Sequence, residues 1–250
     1  LANPELEWET AKQVDFGFDA RFLRDRLNFT FDFYNKNTTG QLVPMTPPLS
    51  TGTTSVTRNV GKVNNHGFEF ELGWRDQVGE VTYSVNANLA TLNSKVKELK
   101  EATRIDGGGQ GLVYFEEGHP VWSYYGWKYL GVNPEDGSAV YYDKDESGTI
   151  DDKDMTIIGS TVPRYTYGVN LSFGWKGLNL SAFFQGVGKV DGYLSSYYVQ
   201  PCQQGGTFRK EHLDRWNETN PNGKYPRLTM TDANNWKQSS FWMRSAAYCR

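Results

Sequence analysis

The sequence predicts an all-β fold, part of a large antiparallel transmembrane β-barrel with long outer loops. Three observations lead there. Apolar and polar residues alternate along runs close to the about 9 to 11 residues that a tilted strand needs to cross a bilayer. The connections between runs alternate between short and long. Aromatic residues collect near the ends of the runs.

The strands come first. Val14, Phe16, Phe18, Ala20 and Phe22 share one parity, and Asp15, Gly17, Asp19 and Arg21 the other. That period of two marks a strand. After a turn at Arg24-Asp25 the pattern repeats, with Leu27, Phe29, Phe31 and Phe33 against Asn28, Thr30 and Asp32. Phe68, Phe70, Leu72 and Trp74 oppose Glu69, Glu71 and Gly73, and Val81, Tyr83, Val85, Ala87 and Leu89 oppose Thr82, Ser84, Asn86 and Asn88. Tyr165 to Trp175 alternates in the same way, and Leu178, Leu180, Ala182 and Phe184 follow the turn Lys176-Gly177. A last strand is expected to begin near Phe241.

These runs exceed the roughly 5 to 6 residues common in soluble sheets. Alternation alone also fits a soluble sandwich, so the connections decide more. Short ones fall at 24–25, 76–80 and 176–177, and long ones at about 36–66, 93–164 and 188–240. Connections beyond roughly 12 to 15 residues are uncommon in compact domains. An outer-membrane barrel has short periplasmic turns and long outer loops. Tyr34, Trp74, Tyr165, Tyr167 and Trp175 lie near strand ends, as interfacial girdles do.

Composition excludes more than it selects. With 250 residues and a net charge of −3, there is no basic stripe of the kind nucleic acid requires. Mean hydropathy is −0.64, and no apolar run is long enough for a transmembrane helix, which leaves a barrel untouched. Cys202 and Cys249 are far apart and read as two free thiols or a fortuitous pair rather than a disulfide framework. "LANPELEW" carries no signal-peptide pattern, and "WMRSAAYCR" stops inside an apparent strand, so the sequence reads as a fragment of a longer chain.

Residues 143–154, "DKDESGTIDDKD", have the register of a twelve-residue calcium loop. Asp143, Asp145 and Ser147 take positions 1, 3 and 5, Gly148 the sharp turn at 6, and Thr149 offers its carbonyl at 7. Asp151 at 9 acts through a water, Asp154 closes the loop at 12, and Ile150 at 8 pins it to neighbouring structure. Calcium takes six to eight hard oxygens, and this spacing gathers them in one turn. Asp154 stands where Glu is usual; its shorter arm weakens bidentate ligation and tolerates magnesium better. The competing reading is an acidic, solvated hairpin tip. With no long flanking helices, the expected role is a structural brace and not a calcium switch.

Other candidates are weaker. "VYFEEGHPVWSYYGWKY" (113–129) suits packing within the loop, contact with a partner or stacking on a ligand. Glu116 and Glu117 beside His119 make a poor hydrolase pair, because neighbours along a strand point to opposite faces. His66, His119 and His212 are scattered singly, and no nucleophile or phosphate-loop motif is present, so the chain is not expected to be an enzyme. "DGGGQG" (106–111) is a loop tip, and 202–229 is a polar, turn-rich loop in which "EHLDRW" allows one helical turn. Asp15, Asp19, Asp32, Glu69 and Glu71 share the polar face and form an acidic wall.

"NPELEWETAKQVDFGFDARFLRDRLNFTFDFYNKNT" (3–38) and "NVGKVNNHGFEFEL" (59–72) resemble the C-terminal barrel of TonB-dependent outer-membrane transporters. "GHPVWSYYGWKYLG", then the acidic loop, then "IGSTVPRYTYGVNLSFGWKGLNLSAFFQG", resembles the SusC/RagA branch. The resemblance covers nearly the whole chain. It implies a barrel of about 22 strands with an N-terminal plug. It also implies an outer-membrane location, energy delivered through TonB, a SusD-like surface lipoprotein as partner, and import of glycan oligosaccharides or peptides. The rival is a secreted, calcium-stabilised, carbohydrate-binding β-sandwich, which lacks the two classes of connection.

Overall fold

The computed structural model describes residues 6–45, 52, 56–100, 103–107, 111–195, 201, 207–231 and 233–250. Strand β1 (Thr10–Phe22) forms a hairpin with β2 (Leu27–Met45), and β3 (Val56–Val78) pairs with β2 along its length. β4 (Val81–Thr91) returns along the lower part of β3, and β5 (Asn93–Leu99) continues along its upper part. Six short strands follow: β6 (Arg104–Asp106), β7 (Val113–Glu116), β8 (Ser123–Gly126), β9 (Tyr129–Val132), β10 (Ala139–Tyr141) and β11 (Thr156–Ser160). β12 (Tyr165–Trp175) and β13 (Leu178–Gly188) form the next long hairpin, and β14 (Asp191–Tyr193), β15 (Met243–Ser245) and β16 (Tyr248–Cys249) complete the order.

The main sheet runs β1-β2-β3-β4-β12-β13-β16, antiparallel throughout, with β5 added on β3. Its register lines the apolar residues into rows. Ala20, Phe29, Leu72, Ala87, Val169 and Phe184 lie side by side across six strands. In the next row Phe18, Phe31 and Phe70 meet, with ring centroids 5.7 Å and 5.2 Å apart. Among the described residues no second sheet covers this face: Phe16 is 63 % exposed and Leu180 57 %. A sandwich buries its apolar face against a partner sheet, whereas a barrel turns it to lipid. The uncovered face fits the barrel.

The short connections are short turns. Leu23, Arg24 and Asp25 all have positive φ, the hand that suits a tight hairpin. Trp74 and Trp175 lie on the apolar face at this short-turn end, and Tyr165 and Tyr167 lie on the same face at the other end. Tyr34 does not join them. It pairs with Asp15 and Gly67, on the polar face, and its hydroxyl donates to the Thr91 carbonyl at 2.9 Å. Gly67 makes room for this: a Cβ there would come within 1.9 Å of the Thr91 oxygen.

Two expectations are corrected. The segment 36–66 is mostly strand, because the β2–β3 ladder continues to Met45↔Val56. Beyond the lipid no face has to be apolar, so the alternation fades while backbone pairing persists. Asn64 then bridges the strands, donating to Asn35 at 2.6 Å and Asn37 at 2.9 Å. A strand does begin close to Phe241, but β15 (Met243–Ser245) pairs with β14, and the main sheet gains its last strand only at β16. Ser240–Trp242 is a 3-10 turn, and pairing with β13 starts at Tyr248. Trp242 is drawn out of strand geometry because it is buried in the loop assembly, 1 % exposed.

The buried core lies at the long-loop end, not in the lipid-height sheet. Val63, Val96, Leu99 and Ile105 form one cluster, with Val43, Phe115 and Val121 against it. A second set, Tyr125, Tyr141, Tyr225 and Trp242, is equally well buried.

Candidate metal centre and the loop assembly around it

The two long segments, 93–164 and 188–240, fold together. Trp127 N donates to the Gln238 carbonyl, and Ser240 N to the Trp127 carbonyl, both at 2.9 Å. Asn235 Oδ1 accepts from Ala139 N at 2.8 Å, and Tyr141 hydroxyl donates to the Asn234 carbonyl at 2.7 Å. Trp216 Nε1 donates to the Pro134 carbonyl at 3.0 Å. Rings fill the space between: Tyr129 lies 5.9 Å from Tyr141 and 4.8 Å from Phe241, and Phe241 lies 5.2 Å from Tyr225. Burial pushes the Tyr129 hydroxyl up to about 12.

The acidic loop leaves β10 and ends in a 3-10 turn, Asp152–Asp154. Asp143, Asp145 and Asp154 come together, each offering a carboxylate oxygen within 4.8 Å of the others. The fold positions each one. Asp143 accepts from Ser147 N at 3.2 Å and Gly148 N at 2.7 Å, and Gly148 has the φ of +79° that the sharp turn demands. Asp154 is fully buried and accepts from Lys144 N at 2.7 Å and Asp151 N at 2.9 Å. The Asp151 backbone amide is the main cause that holds its carboxyl below the usual range. Ser147 Oγ lies 3.1 Å from the Thr149 carbonyl oxygen, which keeps both oxygens in the same turn.

Asp151 is the exception. Its Oδ1 accepts from Lys153 N at 2.7 Å and caps the 3-10 turn, while its carbonyl accepts from Trp127 Nε1 at 2.8 Å. It is not among the clustered carboxylates. The capping role was hidden in the sequence because Asp serves equally well as ligand and N-cap. Lys237 was missed too. Its Nζ donates to the Ile150 carbonyl at 3.0 Å and sits 4.6 Å from the Trp127 ring centre, so a residue from the second segment clamps the acidic loop. No local motif signals such a contact across 87 residues.

The donor set is carboxylate, hydroxyl and carbonyl, with neither sulfur nor imidazole. That matches a hard divalent cation. Among the described residues no ion pair neutralises the three carboxylates. Like charges this close repel strongly unless a cation sits between them.

The remaining candidates are structural. Glu117 Oε1 accepts from Leu99 N at 2.6 Å. His66 lies against Asn64 and Asn93. His212 is buried, and its Nδ1 accepts from Arg209 N at 3.0 Å. "EHLDRW" does turn, within a 3-10 segment at Lys210–Asp214. In the 113–129 stretch Tyr114 packs on Tyr125 and Phe115 on Trp122. Asp32 faces Glu69 across β2 and β3, and Thr30 donates to Asp19 at 2.6 Å, so the acidic wall is contiguous. Cys249 is free and exposed, while Cys202 and the 108–110 tip of "DGGGQG" lie outside the described residues.

Comparison with known proteins agrees with this architecture. TonB-dependent receptor P3 of Formosa agariphila is 28 % identical over 251 residues, covering 91 % of this chain and 25 % of its own length. TonB-dependent receptor SusC of Bacteroides thetaiotaomicron is 24 % identical over 201 residues, covering 72 % of this chain and 19 % of its own. The solved structure of the RagAB peptide transporter superposes with a TM-score of 0.85 at 24 % identity, covering 100 % of this chain and 28 % of that one. The chain therefore spans about a quarter of the length of these relatives. The TonB dependent receptor-like β-barrel model matches residues 1–242, and with its outward apolar rows and alternating connections the chain belongs to that family of receptors, which are not enzymes.

Proposed function

We propose that the chain is the C-terminal barrel portion of an outer-membrane, TonB-dependent importer of the SusC/RagA branch. The observation that carries this is the uncovered apolar face, in register across the sheet, with short turns at one end and a folded loop assembly at the other. The apolar face meets lipid and the polar face lines the lumen. TonB supplies energy through the plug side, and a SusD-like lipoprotein closes the outer side over oligosaccharide or peptide cargo. The similarity to SusC and to the RagAB fold supports the branch. In a TonB-deleted strain, uptake of cargo oligomers by the complete receptor is expected to fall to background. Uptake that persists without TonB overturns the reading.

The acidic loop is proposed to hold calcium, or magnesium less tightly, through Asp143, Asp145, Ser147, the Thr149 carbonyl and Asp154, with Asp151 reaching the ion through a water. The ion's chemistry here is charge neutralisation. Bracing Ile150 and Asp151 also braces Lys237 and Trp127, so the ion stiffens both long segments. Calorimetry on the intact receptor should show calcium binding that Asp154→Ala removes, and chelation should open the assembly to protease. Absence of heat with calcium and with magnesium sinks the assignment.

A further inference from the structure

Where the sheet meets the loop assembly, Arg164 and Lys189 line one cleft of about 420 Å³ together with His119, Ser160 and Asp191. The main chain sets where both exposed residues stand. Arg164 N donates to the Gly188 carbonyl at 3.2 Å, and the Arg164 carbonyl accepts from Leu92 N at 2.9 Å, so this residue is held between β4 and β13. Its parity is that of Thr166 and Gly168, the polar face of β12. Lys189 directly follows β13 with a left-handed φ of 51°. The cleft therefore sits at the loop end of the β12–β13 hairpin, beside its polar face.

The charges do not cancel. Among the described residues neither Arg164 nor Lys189 forms an ion pair. The one carboxylate present, Asp191, accepts from Ser160 N at 2.9 Å through Oδ2. Elsewhere the polar face is acidic, at Asp15, Asp19, Asp32, Glu69 and Glu71. Two unpaired cations in a concave site are an arrangement for capturing an oxyanion.

We propose that this cleft is a recognition subsite for the acid group, carboxylate or sulfate, of an acidic oligosaccharide at the lumen mouth. The proposal rests on the importer reading and names its class of cargo. Its volume is within the roughly 300 to 1,000 Å³ of small-molecule sites. It takes a sugar ring together with its acid group, whereas the short carboxylate arm of an Asp or Glu side chain fills little of it. Arg164 offers a planar fork to two oxygens and Lys189 a point charge. Asp191 sets the limit: it repels a second acid group and leaves room for one.

The test uses the complete receptor in detergent, titrated with a short oligogalacturonate, a neutral malto-oligosaccharide of equal length and an acidic peptide. The Arg164→Gln/Lys189→Gln double variant is expected to lose roughly tenfold or more in affinity for the oligogalacturonate, with the neutral sugar unchanged. Arg164→Lys with Lys189 intact keeps both charges but loses the fork, so its affinity should fall between the unaltered receptor and the double variant, and Asp191→Asn should tighten binding. Affinity should also fall with added salt. Unchanged oligogalacturonate binding in the double variant overturns the subsite, as does an equal loss for the neutral sugar. A loss confined to the acidic peptide overturns the saccharide assignment. Uptake is followed separately: the expected binding pattern without TonB-dependent uptake supports the subsite and counts against the importer.

Discussion

The lipid-height sheet and the loop assembly are built by opposite rules. In the sheet, residues such as Phe16 and Leu180 are more than half exposed, because the solvent for that face is hydrocarbon. In the assembly, Trp242, Tyr125 and Val96 are nearly sealed from solvent, because the surroundings are water. On the proposed barrel reading, one chain carries its packed core outside the membrane and its uncovered apolar surface inside it. Backbone pairing holds the first region; side-chain interlock across distant segments holds the second.

That contrast can be broken most forcefully at Trp242. Trp242→Ala removes a fully buried aromatic, a loss of about 3 to 5 kcal/mol. The assembly should become protease-sensitive while the barrel still shows heat-modifiable migration in detergent. Simultaneous collapse of both would show that the two regions fold as one unit. Next comes Leu171, on the lipid-facing side of β12. Leu171→Arg should destabilise the barrel by about 2 to 4 kcal/mol, whereas Asn170→Arg, one residue away on the lumen face, should cost little. Equal costs in folding titrations into bilayers would reverse the assignment of faces. The smallest effect is expected at Lys237. Lys237→Met forfeits a hydrogen bond and a cation–π contact, roughly 1 to 2 kcal/mol together. Calcium binding should weaken a few-fold with the barrel untouched.

The same contrast explains what the sequence made legible. Lipid dictates a strict period of two, so β1, β4, β12 and β13 could be traced from Phe16, Leu89, Phe173 and Leu180. Where that demand ends, so does the signal. The upper parts of β2 and β3 carry Asn35, Asn37 and Asn64 on a continuing ladder, which reads as loop because neither face must be apolar. Tyr34 shows the limit of position without parity: it lies near a strand end but on the lumen side. In the acidic loop the spacing marked Asp143, Asp145 and Asp154, since local turn geometry gathers them. It could not separate Asp151 as cap from Asp151 as ligand, nor reach Lys237, because those roles are set by contacts between distant segments.

β3 has a mechanical consequence. Its 23 residues make a beam about 75 Å long, far taller than an apolar band of about 25 Å. It is laced on both sides over Gly61–His66 and Glu69–Trp74, and the two shifts in its pairings fall together: β2 slips at Thr39–Leu42 opposite Gly61, and β5 slips between Lys62 and Val63. Bending is cheapest where the lacing slips on both sides at once. The β2–β3 arm above this level can sway on a joint at Gly61–Val63 while the wall beneath stays upright, which separates movement at the mouth from strain in the membrane.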